Sequence, residues 1–77
     1  MMPGDLVSSA TPAMLVGLYS SPSAWHDEPA ATHVHADDTG LVVATSKHEG
    51  SRYVLVLCRG ALGWANEAFL RRRGLHG

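Results

Sequence analysis

Histidine, carboxylate and thiol are the side chains most often recruited for chemistry, and in this sequence the first two cluster. His33 and His35 stand two positions apart, so on an extended chain they project from one side. His26, Asp27, Asp37 and Asp38 lie close by in sequence. Imidazole nitrogens and carboxylate oxygens can hold zinc or another divalent ion. Clustered histidines also gain charge below a reference pKa of about 6.5 and would then neutralise the neighbouring acids, which makes a pH-responsive contact. Two features separate the pattern from a metal site: no Cys joins it, and its intervals match no standard ligand spacing. The expectation is a solvated His/Asp loop with no metal and no cofactor, His33 and His35 being the candidates if an ion does bind.

The thiol is placed differently. Cys58 ends the apolar run 53–58, whereas a catalytic thiolate needs an electropositive, partly exposed setting and a positioned base. An inert buried thiol is expected. No Ser-His-Asp arrangement, phosphate loop or pair of carboxylates on a preformed pocket is visible, and the sequence points away from an enzyme.

The elements that must position these residues are short. With 77 residues there is room for one domain, 1–77, and a chain of this size hides a smaller share of its surface than a larger one does. A single cysteine closes no internal disulfide, so the core, a partner or an ion must hold the fold. Charged residues are 17% of the chain, below the roughly 25% of an average soluble domain, so part of the surface is expected to be covered. The apolar runs fall far short of the ~20 residues that cross a bilayer as a helix, and no membrane partner is expected. No Lys or Arg precedes Lys47, which leaves no basic start for a secretory signal. The lone thiol agrees with a reducing compartment, and synthesis in a cytoplasm is expected.

No heptad pattern, internal repeat or long amphipathic helix is present. Residues 4–7 and 13–19 read as extended segments bounded by Gly and Pro, and 41–45 as a β-branched strand. The run 53–58 is apolar on both faces, which predicts a central strand covered on both sides. Arg59-Gly60 predicts a tight turn, 61–64 its returning partner, 66–68 a single helical turn and 69–72 a last strand. Between them, 20–38 reads as one long loop that holds most of the acid, with a short β piece around 33–35. The fold class is all-β: about five short strands closing on themselves.

At this point the residues resemble a family. Tyr53-Val54-Leu55-Val56 and Gly60, followed by Gly63-Trp64-Ala65-Asn66-Glu67-Ala68-Phe69-Leu70, look like the closing half of bacterial Src-homology-3-like domains. There a hairpin ends in Gly-Trp-Val, a short helical turn and Tyr-Leu; here Ala65 stands where Val is usual. Leu18-Tyr19-Ser20-Ser21-Pro22-Ser23 is similar to the opening Arg-Ser-Gly-Pro-Ser stretch of the same domains. Pro3-Gly4-Asp5-Leu6-Val7 and Asp38-Thr39-Gly40-Leu41-Val42-Val43 look like the Gly-Asp-x-Val starts of the related KOW kind. The pattern is also similar to short barrel proteins of tailed bacteriophages. The resemblance implies a small five-stranded Src-homology-3-like barrel with Gly63 at a close chain approach, Trp64 over one mouth, and Phe69 and Leu70 plugging the other side. Peptidoglycan or proline-rich peptide recognition are roles within the family. Against the latter, the aromatic shelf is reduced to Tyr19, Trp25, Tyr53, Trp64 and Phe69.

The remaining residues suggest contact rather than catalysis. Trp25, beside His26 in the acidic loop, is either an interface anchor or a lid over the barrel. Arg71-Arg72-Arg73 could meet phosphate or a partner's carboxylates; on a strand, Arg71 and Arg73 share one face, and a charged edge that blocks stray strand pairing is expected. Residues 1–46 hold five acids and no Lys or Arg, whereas 47–77 hold six Lys or Arg against two acids. Such a split suits docking on copies of itself or on a charged partner, unless the fold interleaves the halves. With a net charge of −1, nucleic acid is not an expected partner. Small size, low charge and split charge together lead to a protein-partnered accessory of a larger assembly or homo-oligomer, such as a virion. The expected contact residues are Tyr19, Trp25, His26, Asp27, His33, His35, Arg71 and Arg73. A cell-wall or peptide-binding module and a KOW-like nucleic-acid binder are the alternatives.

Overall fold

A computed structural model describes residues 1–73, with the exception of the Trp25 side chain. The chain is mostly strand. In order it forms β1 (Leu6–Ser9), β2 (Val16–Leu18), a 3-10 turn (Ala24–His26), β3 (Thr32–Val34), β4 (Gly40–His48), β5 (Ser51–Cys58), β6 (Ala61–Asn66), a second 3-10 turn (Glu67–Phe69) and β7 (Leu70–Arg72). Five strands make one antiparallel sheet in the order β6-β5-β4-β1-β7, and β2 and β3 pair as a separate ribbon. Among the described residues, no helix is long and apolar enough to cross a membrane.

The described residues form seven strands where about five were expected, because the extended segment 13–19 and the short β piece near 33–35 pair with each other as a ribbon of their own. Val16 pairs with Val34 and Leu18 with Thr32, so residues 20–38 leave and return along one ribbon. The ribbon buries Val16, Leu18 and Val34, which gives those β-branched and apolar residues a reason to extend. His35 falls just beyond β3, in a turn where its backbone carbonyl accepts from both Ser9 and Asp38. The two histidines therefore do not share one strand, as their spacing predicts.

Two hairpins order the main sheet. His48 pairs with Ser51 and Cys58 with Ala61, leaving two-residue turns Glu49-Gly50 and Arg59-Gly60 in which all four residues have positive φ. Such turns match the strand twist and require left-handed backbone at both central positions. The pairing of β4 with β5 slips by one residue at Val43, which bulges outward between Val42 and Ala44.

The core is small and built largely of valine: Val7, Val16, Val34, Val42, Val54 and Val56, with Leu18, Cys58, Ala65 and Leu70. Every buried residue of β5 comes from one face, namely Val54, Val56 and Cys58. The other face is not covered: Leu57 is exposed, and Tyr53 and Leu55 are half-buried. This corrects the reading of 53–58 as a strand buried on both sides. β5 is central in the hydrogen-bonded direction, between β4 and β6, but among the described residues no second sheet lies over its outer side.

Phe69 is a second correction. It belongs to the 3-10 turn rather than to the last strand, and it is exposed, while Leu70 alone enters the core. The charge halves are interleaved. Asp38 pairs with Arg59 at 3.0 Å and Asp5 with Arg72 at 3.7 Å, each joining the acidic half to the basic one. The α-amino group of Met1 lies 2.8 Å from Glu67, which ties the start of the chain to the turn before β7.

Candidate functional site

The β2–β3 ribbon meets the main sheet at one crossing. Tyr19 and Trp64 exchange both backbone hydrogen bonds, Tyr19 N–H donating to Trp64 C=O at 3.0 Å and Trp64 N–H to Tyr19 C=O at 2.6 Å. The residue beside this bridge has to be glycine. A Cβ on Gly63 would stand 2.6 Å from Leu18 Cβ and 2.9 Å from the Tyr19 backbone nitrogen. Backbone cannot swing aside as a flexible side chain can, so the close approach expected of Gly63 has a definite cause.

A groove of about 350 Å³ opens along this crossing. One wall comes from the segment that enters and leaves β2, with Met14, Leu15, Tyr19 and Pro22; the other comes from Tyr53 on β5, Trp64 and Asn66 on β6, and Phe69. Pairing explains why the last wall is continuous. Tyr53 stands opposite Asn66 and Leu55 opposite Trp64, so alternate residues of β5 and β6 project to the same outer face. Asn66 also caps the turn that presents Phe69, its Oδ1 accepting from the Ala68 N–H at 2.9 Å. The Tyr19 ring lies over Gly17, where an added Cβ would come within 2.9 Å of it. Tyr53 is braced from the hairpin side by His48, whose ring meets it edge to face at 6.2 Å.

The groove thus gathers four of the five aromatic residues. Among the described residues its polar side chains are two phenols, an indole and one amide, and no described carboxylate, imidazole, thiol or ammonium lines it. Such a surface can stack on apolar or ring-bearing groups and donate or accept hydrogen bonds.

Of the expected contact residues whose side chains are described, Tyr19 alone lines the groove. His26 and Asp27 are exposed at the end of the first 3-10 turn, His33 is exposed on β3, and His35 is half-buried in the turn after it. Arg71 is exposed on β7, an edge strand of the main sheet. Arg73 follows that strand and donates its backbone N–H to Leu6 at 2.7 Å. The Trp25 side chain, expected as anchor or lid, lies outside the described residues. Among the described residues no three or more His, Cys, Asp or Glu side chains come together in a way that could hold a metal ion.

Tyr53, Trp64, Asn66 and Phe69 were legible as part of a β-hairpin and turn but not as one surface. Their convergence depends on β2 crossing β6, and the signal for that crossing is the single glycine Gly63.

The polar network lies at the far end of β5. Asp38 accepts the His35 backbone N–H at 3.0 Å through one oxygen and Arg59 Nη2 at 3.0 Å through the other. The His35 hydrogen bond, then the Arg59 guanidinium, hold its carboxyl below the usual carboxylate range, and Asp38 in turn raises Arg59. Burial, with the nearby Asp38 charge, pushes the Cys58 thiol up, so it stays protonated and unreactive near neutral pH.

Comparison of the chain with protein-family models, with curated proteins and with solved structures returns no match.

Proposed function

We propose that this chain is a non-enzymatic interaction module, built as a small Src-homology-3-like barrel, whose aromatic groove takes an extended, proline-bearing segment of a protein partner. The observation that carries the reading is the convergence of Tyr19, Tyr53, Trp64 and Phe69, with Pro22, on one open groove. Flat aromatic walls suit the ring of proline. A polyproline II segment has no internal hydrogen bonds, so its carbonyls remain free for the Trp64 indole and the tyrosine hydroxyls. Its stiffness also lowers the entropy lost on docking.

Three features support the barrel. The strand order β6-β5-β4-β1-β7 keeps the hairpin strands together and puts the first strand beside the last. The Tyr19–Trp64 bridge carries the pairing past β6 onto the ribbon, and the Ser9 N–H to His35 C=O bond at 3.3 Å ties the ribbon back to β1. An Asn66-capped 3-10 turn precedes the last strand, in keeping with the Gly-Trp to Phe-Leu resemblance. The non-enzymatic part is supported by a groove with no carboxylate, imidazole, thiol or ammonium among its described lining residues and by the buried Cys58, whose thiol is pushed up. The setting we favour is a larger protein assembly such as a bacteriophage particle, for which the low charge fraction and the uncovered outer face of the sheet are the support.

The test is an amide and indole NMR titration with a proline-rich peptide, run beside an alanine-rich peptide of equal length and charge. The reading expects shifts grouped at Tyr19, Tyr53, Trp64 and Phe69 for the proline-rich peptide alone. Shifts scattered over the sheet, or none at millimolar peptide, would reject it.

A further inference from the structure

The outer face of β4, β5 and β6 extends beyond the groove. Leu41 stands directly opposite Leu57, and Leu57 directly opposite Leu62, so three leucines form a row across three neighbouring strands. They are 38%, 41% and 50% exposed, and Val43, set outward at the bulge, is 44% exposed. Strands lie about 5 Å apart, so the row is one continuous surface and not a scatter of single residues. None of the four lines the groove.

We propose that this leucine row is a self-association face, on which a second copy of the chain seats its own row about a two-fold axis. Two-fold pairing sets a patch against itself, so any charge in the patch would meet its own like charge. The row carries none. The guanidinium next to it in the chain, that of Arg59, is held 3.0 Å from the Asp38 carboxylate and presents a neutral pair to its symmetry mate. A net charge of −1 adds little long-range repulsion between copies. Sheets can also meet face to face at about 10 Å with their side chains interdigitated, which a flat row of aliphatic residues permits.

Area sets the strength. Stable complexes bury about 800 Å² per partner, and four half-exposed aliphatic side chains supply only a part of that. The association is therefore reversible, filling at high protein concentration and wherever an assembly holds copies near one another. It is independent of the groove, whose occupant sits on Trp64 and Phe69.

Sedimentation velocity of the whole chain, from micromolar to millimolar, tests the proposal beside Leu57→Lys and Leu62→Lys. The wild type should move toward the dimer as concentration rises, and its Leu41, Val43, Leu57 and Leu62 amide signals should shift with dilution. Either lysine should weaken the dimer by more than about tenfold, with unchanged circular dichroism, since it puts a charge where none can be paired. A wild type that stays monomeric throughout would overturn the proposal. So would a dimer that survives both lysines, or one that is lost on Phe69→Ser instead, which would move the interface to the groove.

Discussion

The two faces of β5 have nearly the same chemistry in sequence and opposite fates in the fold. Val54, Val56 and Cys58 turn inward and are buried, whereas Tyr53, Leu55 and Leu57 turn outward, the first two half-buried and Leu57 exposed. Hydrophobicity alone does not separate them. What does is the partner each face meets: the inner one meets Val7, Val42 and the ribbon's Leu18 and Val34, while among the described residues the outer one meets the segment around β2 only at its Tyr53 end. Among the described residues this exposed apolar face runs from the leucine row through Trp64 into the aromatic groove, and it is the surface to which we assign contact with a partner.

The sharpest way to break this division is at the crossing that makes the groove. Gly63→Ala should cost about 3 kcal/mol or more in a denaturant melt, because the new methyl meets Leu18 and the Tyr19 backbone and must push the ribbon off β6. Next come paired truncations on adjacent positions of β5. Val56→Ala should lose about 2 kcal/mol through lost burial and the cavity left behind, and Leu57→Ala no more than about 0.5 kcal/mol. Equal losses would mean that the faces do not differ as described.

A smaller effect of opposite sign is expected at Ser8. Its hydroxyl is buried with no hydrogen-bond partner among the described residues, so Ser8→Ala should raise stability by about 1 kcal/mol in the same melt.

The gentlest expected effect is on pH dependence. The folded state favours ionised Asp38, so the unfolded chain takes up a proton there at higher pH than the folded one. The stabilisation is present above the unfolded carboxylate value of about 4 and is lost as pH falls through the lower folded value. Asp38→Asn should flatten that acid limb of the stability curve and leave its neutral-pH slope unchanged.

Much of the fold was legible because it rests on local chemistry. The Arg59-Gly60 turn, the β-branched run of β4 and the capped turn after Asn66 all follow from residue type and spacing. The ribbon was not, because Val16 and Val34 find each other only across a long segment of serines, prolines and acids whose composition reads as a loop. The site was hidden for a related reason. Tyr19 and Trp64 meet through backbone pairing far apart in sequence, and Phe69 looks like a core plug until its turn points it outward. The histidines differ from their spacing in one respect: i and i+2 suggested one strand for both, but β3 ends at Val34, so His33 lies on the strand and His35 in the turn after it.

The central claim is that the aromatic outer surface serves recognition and the valine core serves stability. Phe69→Ser addresses both at once, since Phe69 lines the groove yet is 47% exposed. Stability and binding of a proline-rich peptide should be measured on the same preparation. The claim predicts that unfolding free energy falls by no more than about 1 kcal/mol while peptide binding is lost. Unchanged binding, or a variant that unfolds, would contradict it.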